Sequence, residues 1–216
     1  MDKKSKVSLV LFIACGAMLT GCNPNQKSAV KPEQNDSIAN LFDAKIDSFF
    51  NQKFNAREPG GAVLVMAGNR LLISKGYGIS NTQTREKVTP QTLFNLGSVS
   101  KTFVSNAILI LQSKGKLSVE DKLLKYFPEF ENKTIASVVQ LKHLLTHTSG
   151  LPDIRYPGKD SIFYLTAKDQ ENWDPIMKAS RLNFEPGSQY EYSNPAFNAL
   201  ALIIEKVSGE KWQQFV

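Results

Sequence analysis

Apolar residues recur at helical spacing along most of this chain, and one short region, 62–77, reads as strand instead. From Ile38, the positions Leu41, Phe42, Ile46, Phe49, Phe50 and Phe54 fall mostly three or four apart, the spacing that lines one face of an α-helix. Asp36 or Ser37 offers that helix a cap, and Pro59-Gly60 a stop. Residues 62–67 and 71–77 read as two strands, with Gly68-Asn69 as the two-residue turn of a hairpin. A polar loop over 80–90 leads to a second helix, opening at Ser98 and ending near Gly115, with Phe103, Ala107, Ile110 and Leu111 predicted inward. Ser118 and Asp121 have capping-box spacing ahead of a short helix before Pro128. Residues 141–147 predict another short helix, closed by Ser149-Gly150. Asp174-Pro175 and Asn194-Pro195 each place proline at a first helical position. The second of these precedes Phe197, Leu200, Ile203, Ile204 and Val207, and a last helix start stands at Lys211-Trp212.

The order is therefore helix, hairpin, then a long and mostly helical stretch, which predicts an α/β (α+β) domain. Two strands with one apolar face do not make a stable sheet alone. The pattern reads as the front part of a larger domain spanning 37–216, incomplete at its C-terminus.

The first residues predict targeting rather than fold. Lys3, Lys4 and Lys6 precede an apolar run, 7–18, that is short for a bilayer span. The run ends in Leu19-Thr20-Gly21-Cys22, which resembles the lipobox of bacterial lipoproteins. That resemblance implies a signal peptide over 1–21, lipidation of Cys22 and a protein held at the cell envelope. Asn23 after the cysteine favours the outer membrane. Residues 22–36, rich in Asn, Gln, Lys, Pro and Ser, read as a flexible tether. The net charge of +6 falls to +4 without the first 21 residues, and the remaining charges form no basic stripe. This argues against nucleic-acid partners. With two histidines, His143 and His147, and no zinc spacing, no metal or cofactor is expected.

Candidate chemistry centres on Ser98-Val99-Ser100-Lys101. A serine needs a base within hydrogen-bond reach to act as a nucleophile at neutral pH. A lysine three positions on along a helix shares the serine's face. Ser-x-x-Lys recurs at Ser28, Ser113 and Ser208, but only Ser98 heads a long apolar helix. Tyr-x-Asn occurs once, at Tyr192-Ser193-Asn194. A rival nucleophile, Ser149 near His147, lacks the Gly-x-Ser-x-Gly elbow. His147 reads instead as a buried, hydrogen-bonded residue holding its loop. Trp173, Tyr156 and Tyr190 are candidates for a cleft wall, though aromatic residues more often serve core or rim.

Three motifs in register, Leu96–Phe103, Leu144-Leu145-Thr146-His147-Thr148-Ser149-Gly150-Leu151, and Phe184-Glu185-Pro186-Gly187 followed by Tyr192-Ser193-Asn194, resemble the serine β-lactamase-related family. Within it they look most like the class C β-lactamase and D-alanyl-D-alanine carboxypeptidase branch. The resemblance implies a β-lactamase/penicillin-binding-protein-like fold, an antiparallel sheet flanked by helices plus a mostly helical region. It implies Ser98 as acylated nucleophile, Lys101 as its proton-accepting partner, Tyr192 as general base or acid, and Asn194 as a substrate-positioning group. An enclosed pocket would lower the basicity of Lys101, and the cation would favour ionised Tyr192. The implied substrates are β-lactams, D-Ala-D-Ala or peptidoglycan peptides, or esters. The family's third motif, Lys-Thr-Gly or His-x-Gly on a late strand, has no counterpart here. A fragment, or a truncated envelope lipoprotein that binds without catalysis, is therefore the alternative expectation.

Overall fold

The computed structural model describes residues 33–156 and 162–216. The expected signal peptide, Cys22 and most of the expected tether lie outside the described residues. The fold divides into two compact units, one comprising the chain up to Asn95 and the other Leu96–Val216.

The first unit holds helix α1 (Glu33–Lys53) and an antiparallel hairpin of β1 (Gly61–Ala67) and β2 (Arg70–Tyr77). Helix α1 starts at Glu33, ahead of the predicted cap and within the stretch read as tether, and it stops at Lys53, well before Pro59. The hairpin forms at the predicted turn, with a bulge between Val65 and Met66. Phe50 stacks on Phe54 and Tyr77, while Phe42 and Phe49 stay exposed, so the apolar stripe is wider than the buried face. Lys75 reaches Asp43 and Asp47 at 2.7 and 2.8 Å, and the Tyr77 hydroxyl donates to Asp47 at 2.7 Å. These bonds tie the hairpin to α1.

The second unit is helical. A single 3-10 turn, Gly97–Val99, runs into α2 (Ser100–Ser113). Short helices follow: α3 (Leu123–Tyr126), α4 (Lys133–Val138), α5 (Leu141–Leu145), α6 (Phe163–Thr166) and α7 (Asp169–Trp173). After a 3-10 turn at Ile176–Lys178 come α8 (Asn194–Ser208) and α9 (Trp212–Phe215). Helix α8 is the centre of this unit, packing against α2, α5, α7 and α9. Its Leu200, Ile203 and Ile204 are fully buried, together with Ile108 of α2 and Leu141 and Leu144 of α5. Trp173 is buried against Phe127 and Phe130 at 5.1 and 6.2 Å between ring centres, so it is a core residue rather than a cleft wall.

Helix α2 corrects one reading. Its buried face is Val104, Ala107, Ile108 and Leu111, while Phe103 and Ile110 are exposed. The stretch from Phe103 to Leu111 is apolar nearly all round, so spacing alone could not choose between two overlapping stripes. Ser118 and Asp121 also differ from expectation. The Ser118 N–H donates to the Asp121 carboxylate at 2.9 Å, and the Asp121 N–H returns to the Ser118 carbonyl, closing a turn just ahead of α3 rather than capping it. Asp174-Pro175 opens a 3-10 turn instead of an α-helix. Helices α4, α6 and α7 have four to six residues each, too short for a periodic signal.

The loop after α5 runs beside the segment that precedes α8. Backbone bonds join Gly187 N–H to Thr148 at 2.8 Å, Asn183 N–H to Gly150 at 2.7 Å and Glu191 N–H to His147 at 2.9 Å. Gly150 has φ of 70°, and a Cβ there would stand 2.1 Å from the carbonyl oxygen of Phe184. Gly150→Ala is therefore expected to lower unfolding stability by about 2–4 kcal/mol, combining left-handed strain with overpacking. The midpoint of urea denaturation measures it, and a shift worth under about 0.5 kcal/mol would mean that the loop yields freely.

Candidate active site

Two helix N-termini meet at one point of the second unit. Gly97 turns the chain at φ of 53°, a left-handed conformation that suits glycine, and delivers Ser98 into the turn ahead of α2. Lys101 follows three residues later on the first turn of α2 itself. At the other N-terminus, Ser193 caps α8, its side-chain oxygen accepting the Ala196 N–H at 3.2 Å. The cap leaves Tyr192 just outside the helix and Asn194 just inside it.

The four side chains form one hydrogen-bonded chain. Lys101 Nζ donates to Ser98 Oγ at 3.0 Å and to Asn194 Oδ1 at 2.8 Å. Ser98 Oγ lies 2.7 Å from Tyr192 Oη. Lys101 Nζ also stands 5.0 Å from the centre of the Tyr192 ring and 5.6 Å from that of Phe197. The structure thus brings together Ser98, Lys101, Tyr192 and Asn194. Ser98 does not act as a helix cap: position N-cap of α2 is Val99, which makes no side-chain bond.

Electrostatics favour a proton acceptor at Tyr192. Burial pushes its phenol up, but hydrogen bonding from Lys101 and Ser98 and the lysine's charge outweigh burial and leave it below the ordinary value. Ser98 Oγ accepts from Lys101 Nζ, so its own hydrogen is directed at Tyr192. The converging helix N-termini add partial positive charge where an oxyanion would form.

The site is open rather than enclosed. Tyr192 is 47% exposed, and Ser98 and Asn194 are exposed as well. The enclosed pocket expected around Lys101 is thus not formed by the described residues of this unit.

His147 belongs to the site, though as no part of a serine–histidine pair. Its Nδ1 accepts the Ser193 N–H at 3.2 Å, and its ring packs on Tyr192 and Phe197 at 4.5 and 5.1 Å, with Tyr190 edge-on at 5.9 Å. Burial, reinforced by the nearby charge of Lys101, lowers its basicity, which keeps the ring neutral. Ser149 is 3% exposed, and its hydroxyl accepts the Leu151 N–H at 3.3 Å. No hydrogen bond joins it to His147 among the described residues. Sequence reasoning found the Thr-His-Thr-Ser-Gly loop but missed its contact with Tyr192. The signal was available only as a histidine inside a motif. Tyr156 and Tyr190 are largely exposed, as rim residues are. No cluster of His, Cys, Asp and Glu suited to a metal occurs among the described residues.

The beta-lactamase family model matches residues 38–216. The chain belongs to the β-lactamase family. The β-lactamase/penicillin-binding-protein-like fold is shared with solved structures. D-alanine carboxypeptidase AmpC from Burkholderia cenocepacia is similar at 28% identity and a TM-score of 0.61, over 82% of this chain and 46% of that one. FmtA from Staphylococcus aureus has a TM-score of 0.66 at 24% identity, over 89% and 50%. Among sequences, penicillin-binding protein 4* of Bacillus subtilis (strain 168) is 34% identical over 72% of this chain and 34% of its own length. Protein flp of Staphylococcus aureus (strain NCTC 8325 / PS 47) is 31% identical over 73% and 32%. The chain thus spans about a third of the length of these two relatives. At family level the β-lactamase-family assignment is that of serine hydrolases, and Ser98 with Lys101 lies inside the matched region.

Proposed function

We propose that the protein is a penicillin-recognising serine hydrolase that works through an acyl-enzyme on Ser98. The observation that carries this reading is the unbroken chain Asn194–Lys101–Ser98–Tyr192, all at 2.7–3.0 Å. Ser98 Oγ attacks the carbonyl carbon of a lactam, amide or ester while its proton passes to Tyr192 Oη. The C–N or C–O bond then breaks as Tyr192 returns the proton to the leaving nitrogen or oxygen. Water, deprotonated in turn by Tyr192, attacks the acyl carbonyl, and the ester C–O bond breaks as Tyr192 passes that proton to Ser98 Oγ, restoring both groups. Lys101 holds Ser98 through its hydrogen bond, and Asn194 holds Lys101 and faces the substrate. Similarity to a D-alanine carboxypeptidase and to a penicillin-binding protein favours β-lactams and D-Ala-D-Ala peptides as the substrate class. A fluorescent penicillin incubated with the protein should leave its acyl group on the peptide that carries Ser98, located by mass. A protein that binds cell-wall peptide yet forms no adduct would be the non-catalytic alternative.

The placement proposed is the cell envelope, through a lipid on Cys22. Support comes from the lysines before the apolar run and from Leu19-Thr20-Gly21-Cys22. Metabolic labelling with a palmitate analogue should mark the wild type and not Cys22→Ser, and the wild type should sediment with membranes in high salt. Unlabelled, soluble wild type would reduce the segment to an ordinary signal peptide.

A further inference from the structure

Tyr192 is held by one residue on both of its flanks. The peptide N–H before its own, that of Glu191, donates to the backbone carbonyl of His147 at 2.9 Å. The N–H after it, that of Ser193, donates to the imidazole Nδ1 of the same His147 at 3.2 Å. Between these two bonds the phenol ring of Tyr192 lies against the imidazole, 4.5 Å between centres and inclined by 35°. We propose that His147 is a positioning residue that clamps Tyr192, so that the phenol oxygen meets Ser98 Oγ and Asn194 meets Lys101. The proposal rests on the reading of Tyr192 as the group that takes the serine proton.

Three features make the clamp specific to this side chain. First, residue 147 has φ of 57°, a left-handed conformation in which histidine, asparagine and aspartate are enriched and which glycine adopts freely. Its backbone carbonyl is thereby turned to Glu191 while the side chain still reaches Ser193. Second, the acceptor is a ring nitrogen with a lone pair, so the neutral ring carries its proton on Nε2. Third, Ser193 is the cap of α8, and the same peptide unit therefore fixes the helix start, the phenol on one side and the amide of Asn194 on the other. Neither Ser98 nor Lys101 touches Nδ1, so His147 works through Tyr192 rather than on the substrate.

The test compares two substitutions that both tolerate the left-handed backbone. His147→Asn offers Oδ1 close to the place of Nδ1, whereas His147→Gly offers no acceptor and no ring. The readout is the rate at which a fluorescent penicillin acylates Ser98 in the full chain. His147→Gly should slow acylation by about 10- to 100-fold, the scale of a misplaced catalytic group, with little change in the concentration giving half-maximal rate. His147→Asn should recover most of that loss. In a Tyr192→Phe background the two variants should differ by less than about threefold, because the hydroxyl that the clamp aims is gone and only the Asn194–Lys101 contact is left to position. Nitrogen-15 spectra of the wild type should show Nε2 protonated and Nδ1 bare, a readout independent of turnover. Equal acylation by the Asn and Gly variants, an undiminished difference in the Tyr192→Phe background, or a protonated Nδ1 would each overturn the clamp. A wild type that never labels at Ser98 would overturn the hydrolase reading itself.

Discussion

Ser98→Ala should abolish the covalent adduct and lower turnover by about 10^4-fold or more, the scale seen when a serine nucleophile is removed. Stability should stay within about 0.5 kcal/mol of wild type, because the side chain is exposed and caps nothing. That separation is what gives the variant its value. Loss of the adduct with an unchanged melting curve can only be a loss of chemistry. The competing site cannot substitute, since Ser149 is buried and its hydroxyl already accepts the Leu151 N–H. Mass mapping decides between them. An adduct that persists in Ser98→Ala, or that maps to the peptide of Ser149, would sink the assignment.

The Ser98–Lys101 pair was legible in the sequence because its requirements are local. A lysine three residues after a serine at the head of a helix reaches it whatever the rest of the fold does, and 3.0 Å is the result. Tyr192 and Asn194 were legible only through a resemblance, since nothing in spacing brings residue 192 to residue 98. What does so is the packing of α8 on α2 with their N-termini at the same end, a non-local fact. The hairpin and α8 were predicted closely, having a clear turn and a Pro-marked start. The inward face of α2 was not. Phe103 and Ile110 are as apolar as the residues that are buried, and only a neighbour can decide which stripe turns inward. His147 shows the same limit at the site. Its hydrogen bonding was readable from its motif, but the ring is half-buried rather than buried, and its partner, Ser193, is far along the chain.

Lys101→Ala and Tyr192→Phe are each expected to slow acylation by about 10^2- to 10^4-fold, yet with different pH profiles. Tyr192→Phe removes the acceptor outright, so no pH restores the rate. Lys101→Ala leaves the phenol in place and removes one cause of its lowered ionisation. In the wild type, burial raises the phenol and the combined pull of Lys101 and Ser98 outweighs it. Without the lysine, burial dominates and the phenol ionises at higher pH than before. Because the phenolate is the reactive form, the rate below its pKa falls tenfold for each pH unit. The rising limb of the profile should therefore move to the alkaline side in Lys101→Ala, and part of the lost rate should return as pH is raised. Serine orientation will not return, since the bonds from Lys101 to Ser98 and Asn194 are gone at every pH. A limb that stays in place while the rate drops would show that Lys101 acts on Ser98 alone. A rising limb that disappears in Lys101→Ala would reverse the assignment, making the lysine the base whose ionisation it reported.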